Sequence, residues 1–164
     1  MARRLVLLVM CALVVLAAPA AGASPATVRV AKVAGAGVVL VDGATGRTLY
    51  TLTDSSGKAL PCTDACLAAW PALSVGAGAQ ATVAKRLKGV DAGADGSVSH
   101  RGRPLYLFSG DPTAGTANGN GVQSFGGTWK VVKISGAAAK GAKPAVAGGA
   151  ATTATTNPVE GYGY

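Results

Sequence analysis

The sequence predicts a mainly β fold in which two related β-hairpin units pack into one small domain, with a short helical insert around a Cys-x-x-x-Cys segment. Three observations carry this prediction: β-rich runs separated by turn residues, a short motif that occurs twice, and a cysteine pair just before a tryptophan and a proline. The chain has 164 residues, which leaves room for one domain of ordinary size. Its 24 glycines are about twice the average share, as expected for a chain with many turns.

The first predicted hairpin lies near the start of the body of the chain. Residues 38–41 (VVLV) and 48–52 (TLYTL) are β-rich, and they flank the turn residues 42–46 (DGATG). Two β-rich runs on either side of Asp, Gly and Thr are typical of a hairpin.

A second hairpin is predicted about 56 residues further along. Residues 98–100 and 105–108 flank the dipeptide Arg101-Gly102, which has the length of a tight turn. Pro104 cannot donate a ladder hydrogen bond, so it is expected to open the second strand or to face an edge.

The remaining body is predicted to contain loops, one closing strand and little helix. Residues 63–70 favour a short helix because Thr63 or Asp64 can cap its first turn and Pro71 ends it. Residues 79–87 are a weaker helix candidate. The Gly-rich residues 115–127 predict a long loop, and 129–134 predict a closing strand.

The N-terminal 23 residues have the features of a secretory signal peptide. Arg3 and Arg4 precede the apolar run 5–18, Pro19 follows, and residues 21–23 have the A-x-A pattern of a cleavage site. This run is shorter than the roughly 20 residues that span a membrane as a helix, although an uncleaved anchor is the alternative. We therefore expect a secreted or cell-envelope protein without a transmembrane span after cleavage.

An internal repeat divides the body, which we place at residues 27–134. Its two pseudo-repeats cover about 36–72 and 96–134. The residues that match at an offset of about 56 are Gly46, Arg47, Leu49 and Tyr50 in the first copy and Gly102, Arg103, Leu105 and Tyr106 in the second. Residues 135–164 have no Leu, Ile, Phe or Trp, and we expect a flexible Ala/Gly/Thr-rich tail because such a segment buries little apolar surface.

The repeat also carries a resemblance to a known family. Tyr106, Phe108 and Asp111 fit a Y-x-[FWY]-x-x-D motif, and further spaced elements agree with it: Asp42 before Tyr50, Cys62-x-x-x-Cys66-x-x-x-Trp70-Pro71, and Gly119-x-Gly121 before Trp129. The chain resembles bacterial secreted-repeat proteins, described as predicted lipoproteins, whose biochemical function is not established. The first copy departs from the motif at Leu52 and Ser55, and no cysteine lies near the cleavage site, so no lipid anchor is evident.

The motif residues have two interpretations. Two aromatic rings beside a carboxylate could bind a sugar, a cation or a peptide; alternatively, Tyr106 and Phe108 belong to the core, Asp111 caps the turn at Pro112, and nothing binds. The possible ligand-binding residues are Asp42, Tyr50, Trp70, Tyr106, Phe108, Asp111 and Trp129.

The two cysteines of the mature chain, Cys62 and Cys66, are expected to form a structural disulfide, because exported proteins meet an oxidising compartment. A redox-active pair and a metal site completed by His100 are the alternatives, although the spacing differs from C-x-x-C. We expect no metal and no cofactor.

Catalysis is not expected from this sequence. His100 is the single imidazole, and no G-x-S-x-G elbow, phosphate loop or dinucleotide fingerprint occurs. The net charge of +8 is spread along the chain, and only residues 85–88 form a basic cluster. This charge suits anionic cell-envelope polymers or other envelope proteins rather than nucleic acid. The sequence thus predicts a non-catalytic binding or structural module of the envelope; the alternative is a redox or electron-transfer accessory protein.

Overall fold

The structure, a computed structural model, describes residues 27–147 and is mainly β. The predicted signal peptide lies outside the described residues. The elements are β1 (Val28–Val33), β2 (Gly37–Asp42), β3 (Tyr50–Thr53), α1 (Ala65–Ala69), β4 (Val90–Ala92), β5 (Val98–His100), β6 (Arg103–Pro104), β7 (Gln123–Ser124), β8 (Gly127–Val131) and a 3-10 helix (Gly136–Ala138). They form three small antiparallel sheets, β1-β2, β3-β8-β7 and β4-β5-β6. The predicted fold class is confirmed.

The first predicted hairpin forms only near its turn. Val41 bridges Thr48, and the Leu49 amide donates to the Leu40 carbonyl at 3.0 Å. From Tyr50 onward the chain leaves this hairpin and pairs with β8 as β3, while β2 pairs along its length with β1. The strand β1 was not predicted from the sequence. It forms by pairing with β2, and local patterns do not reveal that pairing.

The second hairpin is present with the predicted turn. His100 pairs with Arg103 across Arg101-Gly102, and Pro104 lies in β6 opposite Ser99. Residues 105–108 do not form the continuous strand that was predicted, because Tyr106 alone bridges to other segments.

One of the two predicted helices is present. The helix α1 spans Ala65–Ala69, just before Trp70. The second helix prediction, over 79–87, is wrong: this segment is irregular, Val83 bridges to Val28, and Arg86 has a φ angle of 72°. Only Leu87 of this segment is fully buried, so no apolar helix face exists to hold a helix against the body.

The two pseudo-repeats meet at their matched tyrosines. The Tyr50 amide donates to the Tyr106 carbonyl at 2.9 Å, and the Tyr106 amide donates to the Tyr50 carbonyl at 3.0 Å. The residues just before them also correspond, because Leu49 bonds back to Leu40 as Leu105 bonds back to Val98. The pairing therefore relates the copies by an approximate two-fold axis between the tyrosines.

Each pseudo-repeat contributes its last segment to the other copy. Leu73, which follows Trp70, exchanges backbone hydrogen bonds with Leu105 and Val98 of the second copy. Val132, three residues after Trp129, exchanges the equivalent bonds with Leu49 and Leu40 of the first copy. The copies are thus interlocked rather than placed side by side.

The interlocked segments bring the two tryptophans together in the core. Their rings are stacked, with centroids 3.8 Å apart and planes within 2°, and both side chains are fully buried. Phe108 stacks on the other side of Trp70 at 4.2 Å, and Tyr106 meets Trp129 edge-on. This aromatic stack supplies the largest buried side chains of the domain.

Residues 135–147 of the predicted tail are described by the structure and are attached to the body. The Lys32 amide donates to the Lys143 carbonyl, the Ala145 amide donates to the Lys32 carbonyl, and Arg29 donates to the Val146 carbonyl. The remaining residues of that prediction, 148–164, lie outside the described part of the chain, and the domain boundaries stay predictions.

Candidate functional site

The motif aspartate lies in the core and binds the tyrosine of the other copy. Asp111 is 1 % exposed, and its Oδ2 accepts a 2.5 Å hydrogen bond from the Tyr50 hydroxyl. Its Oδ1 accepts a 2.8 Å bond from the Asn118 amide. Burial, together with the bond to Asp111 and its charge, raises the pKa of Tyr50 above its ordinary value, so the phenol keeps its proton.

The matched tyrosine of the second copy has a different partner. Leu52 and Ser55 replace the motif residues of the first copy, so no first-copy aspartate is available to Tyr106. Its hydroxyl lies by the backbone of Cys62, and burial raises the pKa of Tyr106. The hydroxyl of Tyr106 thus lies against the disulfide segment, whereas the hydroxyl of Tyr50 lies against the loop that contains Asp111.

Asp42 has a local role in its own turn. Its carboxylate accepts hydrogen bonds from the Ala44 and Thr45 amides and from the Thr45 hydroxyl. Such bonds are typical of an Asx turn. Asp42 therefore shapes the first hairpin turn.

The cysteines form the predicted disulfide beside α1. The Cα atoms of Cys62 and Cys66 are 5.4 Å apart, and both residues are buried in the cluster that contains Trp70. Thiol exchange needs an accessible sulfur, so this environment suits a structural cross-link.

Six of the seven motif residues are buried and Phe108 is half-buried. All of them except Asp42, which lies in its own turn, pack into one unit rather than an open cleft. Among residues 27–147, no group of three or more His, Cys, Asp or Glu side chains is placed to hold a metal ion. What the motif can do chemically is hold the two copies together.

An open basic cavity lies elsewhere, between the second hairpin and the β3-β8 pair. We call it the Thr53 cavity; its volume is about 390 Å³, and it is lined by Thr51, Thr53, Gly57, His100, Arg101, Arg103 and residues 130–133. Its cationic groups are Arg101, Arg103, Lys130 and Lys133, all exposed. Across the described residues, no carboxylate belongs to this lining.

The β3-β8 pair positions one wall of the Thr53 cavity. Leu52 and Trp129 point into the aromatic core, so Thr51, Thr53 and Lys130 alternate onto the opposite face. Thr53 is only 3 % exposed, and its Oγ1 has no hydrogen-bond partner within the described chain. A buried hydroxyl without a partner is unfavourable unless a ligand or water completes it.

The second hairpin supplies the opposite wall. Arg101 and Gly102 both have positive φ angles, of 52° and 72°, as in the type I′ turns of two-residue hairpins. Asn-Gly is favoured there, and an arginine in this conformation is strained. The turn thus places a guanidinium at the cavity mouth despite a conformational cost.

His100, the last residue of β5 in the second hairpin, lines the cavity and carries no charge at neutral pH. It is 7 % exposed, and burial, followed by the positive charge of Arg101, lowers the pKa of His100. The Lys88 backbone accepts a hydrogen bond from the ring, and Asp91 opposes the lowering. Protonation of His100 would add a further positive charge to the cavity.

The Thr53 cavity was not predicted from the sequence. The basic residues were described as spread along the chain, because Arg101 and Arg103 are separated by some 27 residues from Lys130 and Lys133. The pairing that brings the two segments together depends on the interlocked copies, which no local pattern reveals.

No helix within residues 27–147 is long and apolar enough to cross a membrane. Comparison with curated proteins and with solved structures gives no match. Comparison with family profiles does: residues 89–133 match a family described as a secreted repeat of unknown function. This segment includes Tyr106, Phe108 and Asp111, together with the four cations of the Thr53 cavity. The resemblance to the secreted-repeat family is therefore confirmed, and residues 89–133 are the part of the chain that carries it.

Proposed function

We propose that this protein is a non-catalytic, extracytoplasmic module that binds an anionic group of a cell-envelope polymer in the Thr53 cavity. The observation that carries the proposal is the meeting of Arg101, Arg103 and Lys130 around one cavity to which no carboxylate of residues 27–147 contributes. Its volume, about 390 Å³, lies within the range of small-ligand sites.

The ligand class follows from the groups at the cavity. Guanidinium groups donate two parallel hydrogen bonds to phosphate or carboxylate, and lysine adds a point charge. No Phe, Tyr or Trp ring lines the cavity among the described residues, so the cations rather than a stacking surface define the ligand class.

The site differs from the one first considered in the sequence. Tyr106 and Asp111 are buried, so the motif face has no open surface for a ligand. The family motif instead supports the proposed site indirectly, because the interlocked core fixes β8 beside the second hairpin.

A binding test can use sodium tripolyphosphate as the probe in titration calorimetry. We expect saturable binding that weakens as salt is raised, and loss of most of the affinity in the Arg103→Gln/Lys130→Gln variant. A matched control, Lys32→Gln/Lys143→Gln, removes the same charge from residues outside the cavity lining and should retain binding. Equal losses in the two variants would reduce the effect to net charge and contradict the proposal.

If the protein instead has a redox function, the disulfide should be easy to reduce in the folded state. If Cys62 and Cys66 cycle in function, a native-state thiol titration should find them reducible at mild potentials. Both are buried beside Trp70, which favours resistance until the protein unfolds and so supports binding over redox chemistry.

A further inference from the structure

A second basic cavity adjoins the Thr53 cavity. We call it the Leu87 cavity; its volume is about 240 Å³, and it is lined by residues 86–88, His100, Arg101, residues 133–135 and Ala138. Three residues line both cavities: His100, Arg101 and Lys133. The two cavities are therefore adjacent, with Arg101 at their junction, and we call them together the basic groove.

The Leu87 cavity extends the positive charge beyond this junction. It adds Arg86 and Lys88 to the groove, again with no lining carboxylate in the part of the chain that the structure describes. Together the two cavities present six cationic side chains: Arg86, Lys88, Arg101, Arg103, Lys130 and Lys133. A single phosphate or carboxylate cannot contact cations distributed over both cavities.

The second wall of this groove is fixed to the body. Leu87 is buried in the second core cluster, and it lies between the two exposed cations Arg86 and Lys88. The Arg101 amide donates to the Gly89 carbonyl at 2.6 Å, which ties this segment to the hairpin turn. The groove is thus preformed, and its occupant does not have to order it.

Two of its arginines are held in an unfavourable backbone conformation. Within residues 27–147, four residues other than glycine have positive φ angles, and Arg86 (72°) and Arg101 (52°) are two of them. Both line the Leu87 cavity. Residues in the left-handed region concentrate at functional sites, and here the backbone strain falls on two arginines that line the groove.

We propose that the groove binds a linear polyanion that bears phosphate groups along its chain and that spans both cavities. This inference rests on the proposed function, because the Thr53 cavity holds one end of the contact. Phosphate is favoured over carboxylate because arginine, lysine and hydroxyl donors together are the groups that contact phosphate oxygens. Ser135, an exposed residue that lines the Leu87 cavity, supplies the third of these donor types.

The test compares phosphate chains of increasing length on the intact protein. The probes are pyrophosphate and long-chain polyphosphate, with poly-L-glutamate as a carboxylate chain. The variants are Arg86→Gln/Lys88→Gln in the Leu87 cavity and Arg103→Gln/Lys130→Gln in the Thr53 cavity, with Lys32→Gln/Lys143→Gln as the control.

Binding across both cavities predicts that the Leu87-cavity variant loses about tenfold or more of its affinity for long-chain polyphosphate. Its affinity for pyrophosphate stays within about twofold of the control, while the Thr53-cavity variant weakens both probes. The slope of log affinity against log salt for the long chain also falls by about 1 to 2 in the Leu87-cavity variant, because fewer phosphate charges are neutralised.

Each other outcome has a defined meaning. If the Leu87-cavity variant binds long-chain polyphosphate like the control, the two-cavity inference fails while the proposed function survives. Equal or tighter binding of poly-L-glutamate overturns the assignment to phosphate. If the unaltered protein binds none of the three probes, the proposed function and this inference both fail.

Discussion

The Tyr50 hydroxyl donates a 2.5 Å hydrogen bond to Asp111, which joins the tyrosine of one pseudo-repeat to the motif aspartate of the other. Both residues are fully buried. The spacing of the motif is thus explained by a contact between copies: Phe108 stacks on Trp70, and Asp111, three residues later, accepts the hydrogen bond from Tyr50. The motif residues stabilise the fold, and the fold in turn holds the basic groove in place.

Removing this hydrogen bond should destabilise the protein. Tyr50→Phe leaves a buried acceptor on Asp111 without its donor, and we expect a loss of about 1–3 kcal/mol in the free energy of unfolding. Tyr106→Phe is the matched control, because its hydroxyl has no carboxylate partner, and it should lose less. Urea unfolding of both variants measures the difference, and equal losses would contradict the assigned role of Asp111.

The aromatic core leaves no room beside Gly119. A Cβ atom at this position would lie 2.7 Å from Trp70 Cη2 and 3.1 Å from Tyr50 Cε1. We expect Gly119→Ala to lower the free energy of unfolding by about 1–3 kcal/mol, as overpacking does in other cores. Gly76→Ala is the control, because a Cβ there meets nothing within 4 Å; thermal unfolding in which both variants match the parent would contradict this packing.

The disulfide should contribute stability without taking part in chemistry. The cross-link closes a short loop, which corresponds to about 2 kcal/mol in the chain-entropy model, so Cys62→Ala/Cys66→Ala should lose at least about that much. Tripolyphosphate affinity should not change in this variant under conditions where it is folded. A loss of binding in the folded variant would place the disulfide in the site and contradict this separation.

Stability should depend on pH through His100. Its pKa is lowered in the folded state by burial and by Arg101, with Arg103 acting in the same direction and Asp91 and the Lys88 backbone opposing. The unfolded state takes up the proton near pH 6.5, so it binds more protons and stability falls as pH drops below that value. His100→Gln removes this contribution, and urea unfolding at pH 7.5, 6.5 and 5.5 should show its stability falling less than that of the parent. Parallel pH profiles would contradict the prediction.

Arg101 should lower the stability of the turn while it contributes to binding. Arg101→Asn places the favoured Asn-Gly pair in the type I′ turn, so we expect the free energy of unfolding to rise by up to about 1 kcal/mol. The same change removes the cation at the junction of the two cavities and should weaken polyphosphate binding several-fold. A variant that is more stable and binds equally well would show that Arg101 has no role in the groove.

The fold class and the family were predictable from this sequence, whereas the groove was not. Turn chemistry at residues 42–46 and at Arg101-Gly102 located both hairpin turns, since local residues determine these conformations. The exchange of Leu73 and Val132 between copies is a long-range pairing, so the strand partners of β2 and β3 were missed. The burial of Asp111 was not predicted: the two interpretations were a ligand contact and a cap of the Pro112 turn, because its partner Tyr50 lies in the other copy. The groove depends on the same exchange, which brings β8 and its lysines to the second hairpin.

The central claim is that anionic groups bind between the second hairpin and β8. An NMR titration that follows the chemical shift of each backbone amide tests this claim most directly. On titration of the isotope-labelled protein with tripolyphosphate, we predict the largest changes at Thr53, Arg101, Arg103 and Lys130, with little change at Asn118 near Asp111. Changes confined to other surfaces, or no saturable change at these four amides, would contradict the account.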